Sequence, residues 1–88
     1  MKHNLTFHTD PGHGWLEVPR NLLIESGIIG KVSRYSYQDT HAPHHVYLEE
    51  DCDASLFVDA MKAKGIEIDF KDSYSENTFV LRLHRFSA

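Results

Sequence analysis

Two short runs near the start of the chain alternate apolar with polar residues: Leu5 and Phe7 against Thr6 and His8, then Leu16 and Val18 against Trp15 and Glu17. A period of two is that of a β-strand with one buried face. Between the runs, Asp10-Pro11-Gly12-His13 carries turn chemistry, since proline fixes φ, glycine accepts a positive φ and aspartate hydrogen-bonds forward. A loop of those residues pairs Thr9 with Gly14, His8 with Trp15, Phe7 with Leu16 and Leu5 with Val18. That register gathers Leu5, Phe7, Leu16 and Val18 on one face and turns Thr6, His8, Trp15 and Glu17 to the other.

The period then lengthens. Pro19 suits a helix start, where no amide donor is required. Leu22, Leu23 and Ser26 follow at helical spacing, and Gly27 is a left-handed stop that Ile28 and Ile29 fold back to cover. Gly30 to Ser33 reads as a short turn. Arg34 to Gln38 reads as a strand with Tyr35 and Tyr37 on one side, Asp39 to His44 as a loop containing Pro43. His45 to Glu49 is a further strand, with Val46 and Leu48 inward and His45, Tyr47 and Glu49 outward. Asp51 or Asp53 is the expected cap of a second helix, whose face carries Leu56, Phe57, Ala60, Met61 and Lys64 before Gly65 ends it. A closing hairpin is expected from the alternation of Ile66, Ile68 and Phe70, a turn over Ser73 to Asn77, and Phe79, Leu81 and Leu83 alternating back. The order β-β-α-β(-β)-α-β-β predicts an α+β fold, a mainly antiparallel sheet with two helices packed on one face. Residues 1–88 are expected to make a single domain, with no repeat or linker.

Composition narrows the function classes. A net charge of −4, from 13 acidic and 9 basic residues, counts against a general nucleic-acid backbone binder. Arg34, Arg82 and Arg85 are too scattered in sequence to reverse that reading. Protonating all seven histidines would take −4 to +3, so the net charge changes sign in mild acid. Cys52 is the single cysteine, so an intrachain disulfide is impossible. No apolar run approaches the ~18 residues of a membrane span, and the N-terminus lacks signal-peptide regions. The expectation is a cytoplasmic protein that meets no membrane.

Several polar clusters carry candidate chemistry. His41, His44 and His45 offer imidazoles from one loop, suited to zinc, nickel or copper, but a structural site needs ligands from elsewhere and a second shell. Asp10 and His13 can pair so that the carboxylate orients the ring for general-base work. Together with the 41–45 histidines they define one reading, a small metal-dependent hydrolase. The bland alternative is a hairpin turn beside a solvated loop, and no phosphate-binding pattern follows the glycines. Cys52 lies at a helix start, which lowers thiol pKa, but Glu49, Glu50, Asp51 and Asp53 oppose thiolate formation. Those four acids exceed what a cap needs, which suggests a patch for a basic partner. Trp15 with Tyr35, Tyr37 and Tyr47 suggests an aromatic contact surface or a dimer interface.

Asp10-Pro11-Gly12-His13-Gly14-Trp15-Leu16, Ser33-Arg34-Tyr35-Ser36-Tyr37-Gln38 and Val46-Tyr47-Leu48-Glu49-Glu50-Asp51-Cys52-Asp53 resemble segments of small uncharacterised proteins of bacteriophages, prophages and other mobile elements. The loop between Gln38 and Val46 is longer and richer in histidine than that pattern. The resemblance implies a setting, that of accessory proteins which bind a host factor or inhibit a defence system, and no catalytic residues or cofactor. The leading expectation is therefore a non-enzymatic protein that binds a protein partner, or a second copy of itself, in the host cytosol. Its candidate contacts are Trp15, Tyr35, Tyr37, Tyr47, Glu49, Glu50, Asp51 and Asp53.

Overall fold

The computed structural model describes residues 2–39, 44–76 and 78–86. Strands β1 (Lys2–Thr9) and β2 (Gly14–Pro19) form the first hairpin. Its ladder pairs Phe7 with Leu16, His8 with Trp15 and Thr9 with Gly14, as the turn chemistry predicts, and covers those three pairs only. Asp10 shapes the turn, its Oδ1 accepting from the N–H groups of Gly12 at 2.9 Å and His13 at 2.6 Å. Gly14 is needed for space: a Cβ there would lie 2.7 Å from the Phe7 ring and 2.6 Å from a Glu50 carboxylate oxygen.

Helix α1 (Arg20–Ser26) starts after Pro19 and stops at Gly27, whose φ of 84° no β-carbon opposes. Strand β3 is shorter than expected, Tyr37–Gln38, because Ser33 to Ser36 makes a turn closed by the Ser36 N–H on the Ser33 carbonyl. Strand β4 (His45–Glu49) has the bounds its alternation predicts. The cap of the second helical segment is Glu49, whose carboxylate accepts from the N–H groups of Asp51 and Cys52 at 3.0 Å, and neither Asp51 nor Asp53 plays that part. A wide helical turn, Glu50–Ala54, leads into α2 (Ser55–Ala63). Its end is a Schellman motif, with Gly65 at φ 77°, the Gly65 N–H on the Lys62 carbonyl and the Ile66 N–H on the Met61 carbonyl.

The closing hairpin does not form. Strand β5 (Glu67–Tyr74) instead lies parallel to β1, and β6 (His84–Arg85) pairs with β3. The sheet has the order β5-β1-β2-β4-β3-β6, so two strands close in sequence end on opposite edges. Between them Phe79–Arg82 forms a 3-10 turn that lies across the outer face. Alternation at Phe79, Leu81 and Leu83 suggested a strand, yet Val80 is the side chain that becomes buried. Covering an indole and two phenols removes more apolar surface from water than a two-stranded edge hairpin would.

Two cores result, one on each side of an α+β sheet that is antiparallel apart from β1 and β5. On the helix face, Leu16, Val18, Val46 and Leu48 meet Leu23 of α1 and Phe57 and Met61 of α2. On the outer face, Trp15, Tyr37, Tyr47 and Val80 form a smaller cluster.

Candidate functional site

The outer-face cluster borders a cleft of about 330 Å³. Four separate segments build it: the first turn (His13, Trp15), the loop into β3 (Tyr35, Tyr37), the turn after β4 (Glu49, Asp51, Cys52) and the C-terminal crossing (Leu81, Arg85). Pairing of Trp15 with Glu49 and of Tyr37 with Tyr47 sets the first three side by side. His13 stacks on Trp15 at 5.4 Å and is hydrogen-bonded through Nδ1 to Asp10 at 3.2 Å. Trp15 meets Tyr37 edge to face, and the Arg85 guanidinium lies over the Tyr37 ring at 5.2 Å while donating to the Arg34 carbonyl.

The contacts expected from sequence divide. Tyr35 is 53% exposed, Glu50 and Asp51 are exposed, and Glu49 is half-buried as a cap. Trp15 does face away from the helices, but Val80 and its neighbours leave it 1% exposed, with its Nε1–H lacking an acceptor among the described residues. Tyr37 and Tyr47 are likewise buried, so these three rings support a surface and do not form one. Asp53 is also removed from the acidic patch. It is 2% exposed and accepts from the Ser33 N–H, the Ser33 hydroxyl at 2.7 Å and the Ser36 hydroxyl. The Ser36 Oγ in turn accepts from the Glu49 N–H at 2.9 Å, which ties the loop bearing Tyr35 to the end of β4. Arg85 and Leu81 enter the cleft although their positions in the sequence give no sign of it.

The catalytic alternative loses its geometry. β4 runs from His45, opposite Pro19, to Glu49, opposite Trp15, so Asp10 and His13 lie beyond the far end of the strand, about 20 Å from His45 at ~3.3 Å per residue. His45 is engaged by Asp39 at 3.4 Å and Glu17 at 3.9 Å, and His8 donates to Glu17 at 2.7 Å. Tyr47 joins this network through Asp39 at 3.1 Å; burial pushes its phenol pKa up, and the charges of Glu17 and Asp39 add to the effect. His44 is exposed, and His41 lies outside the described residues. Among the described residues no three His, Cys, Asp or Glu side chains are grouped to hold a metal ion. Desolvation and the Glu49 carboxylate push the Cys52 thiol up, with Asp53 and Asp51 adding to it, so it stays protonated at neutral pH. A second recess of about 430 Å³ lies on the helix face between α2 and the outer strands, lined by Phe7, Leu16, Val58 and Phe70 among others. No described helix is long and apolar enough to cross a membrane. No family model matches the chain, and comparison with curated proteins and with solved structures gave no match.

Proposed function

We propose that the chain acts by stoichiometric binding to a protein partner, with the cleft beside Tyr35 as its contact. The supporting observation is convergence: four segments distant in sequence meet around one recess, and five of the residues singled out as contacts, Trp15, Tyr35, Tyr37, Glu49 and Asp51, line it. Tyr35 supplies an exposed ring and Glu50 and Asp51 an acidic rim, a combination that suits a basic segment through cation–π and charge contacts. The net charge of −4 favours the same class of partner at long range. A thiol held protonated and an imidazole stacked on an indole favour recognition over covalent chemistry. The setting consistent with the mobile-element resemblance is an accessory protein in the host cytosol that occupies a host or defence factor.

Substitutions at Trp15 or Glu49 would disturb the fold, so the test uses exposed positions. Tyr35→Ala combined with Asp51→Lys should leave the circular dichroism unchanged and lower retention of a one-to-one partner about tenfold or more in pull-downs from a bacterial host lysate. A partner held equally well by wild type and double variant would refute the assignment.

A further inference from the structure

We infer that the chain forms a two-fold dimer through the open edge of β5, joining two sheets into one. The strand is at the sheet's end and its eight residues are almost all exposed. Unpaired edges of this length present a row of free backbone groups to another strand. The Ser75 N–H donates to the Thr9 carbonyl at 2.9 Å, and Tyr74 is the register partner of Thr9. Backbone groups alternate sides along a strand, so Glu67, Asp69, Lys71 and Ser73 turn theirs toward β1. Ile68, Phe70 and Asp72 turn theirs outward, where a further strand would bond.

Charge selects the occupant and its register. A two-fold axis normal to the sheet, centred on Phe70, brings two copies of β5 together antiparallel. Phe70 then faces Phe70 of the second copy, each Asp69 faces a Lys71, and Ile68 faces Asp72. The facing pairs at Phe70 and at Ile68 with Asp72 are the outward-bonding positions, so each pair exchanges both backbone hydrogen bonds. Moving the centre to Lys71, Asp69 or Asp72 would set like charges directly opposite, which is unfavourable. The chosen register also covers Phe70, which is 54% exposed and packs edge to face on Phe7 at 6.3 Å. Such an isologous contact closes on itself and leaves no edge at the junction. The inference is independent of the cleft, which lies toward the other edge of the sheet, beside β2, β4, β3 and β6.

Sedimentation equilibrium over a micromolar to millimolar series tests it. Wild type should move to twice the mass of one chain. Asp69→Lys and Lys71→Asp should each weaken self-association about tenfold or more, because attraction becomes repulsion at both symmetry-related pairs. Mixing the two variants should restore a dimer, since one chain then offers only acids and the other only lysines at these positions. Far-ultraviolet circular dichroism checks that each variant is folded; if Asp69→Lys is not, since Asp69 also pairs with Lys2 at 2.9 Å, then Lys71→Asp and Lys71→Arg carry the test, the first weakening the dimer and the second, which keeps the charge, associating like wild type. A wild type monomeric throughout, single reversals that associate like wild type, or complementary charges that fail to restore the dimer would each overturn the inference.

Discussion

Replacing Asp53 with alanine would strand three donors, the Ser33 N–H and the hydroxyls of Ser33 and Ser36, at a site where water has almost no access. A buried donor left unpaired costs about 1–3 kcal/mol, and Ser33 is only half-buried, so its two donors belong at the low end. An expected loss of about 3–4 kcal/mol is a large share of the roughly 4–13 kcal/mol that a chain of 88 residues has in total. Asp53→Asn keeps the shape and one acceptor oxygen, and the serine hydroxyls can rotate to accept from its amide, so about 1–2 kcal/mol is expected. Urea denaturation measures both, with the midpoint falling by about 2 M for alanine and the slope unchanged. The reasoning fails if Asp53→Ala lies within about 0.5 kcal/mol of wild type, or costs no more than Asp53→Asn.

Two further outcomes follow from the outer face and the first turn. Trp15→Ala should cost about 3–5 kcal/mol in the same urea experiment, and Trp15→Phe clearly less, because phenylalanine keeps most of the packing and removes a donor that has no acceptor among the described residues; equal losses would contradict the packing account. At Asp10, desolvation pushes the carboxyl pKa upward, but the N–H groups of Gly12 and His13 and the His13 ring outweigh it, holding it below the ordinary value of 3.8. A lowered folded pKa means that the carboxylate stabilises the turn fully above that ordinary value and ceases to do so as pH falls through the folded one. The Gly12 and His13 amide resonances should therefore titrate with a midpoint below 3.8, and a midpoint above it would count against the turn geometry.

Local chemistry made some of this architecture legible. The register of the first hairpin follows from Asp10 to Gly14 because turn and strands are adjacent, and the ends of α1 and α2 follow from Gly27 and Gly65 for the same reason. The parallel pairing of β5 with β1 joins residues more than sixty positions apart, and nothing in Ile66, Ile68 and Phe70 names that partner. The same limit applies to the candidate site. Pattern placed Trp15 away from the helices, but the cover arrives from Phe79–Arg82, whose alternation suits an edge strand equally well. Asp53 looked like one more surface acid because the serines that consume it, Ser33 and Ser36, come from a loop seventeen and more residues earlier. Arg85 was weighed only for nucleic acid; its position over Tyr37 depends on β6 reaching β3.

The crossing from β5 to β6 has a practical consequence. Five strand spacings of ~4.8 Å separate the two edges, about 24 Å, and the nine residues from Ser75 to Leu83 extend to about 30 Å at most, so the crossing has little slack. Beneath it sits the chain's single tryptophan. Intrinsic fluorescence therefore reads the seating of this one strap and is nearly blind to the helical core behind the sheet. The molecule carries its own optical gauge for that crossing.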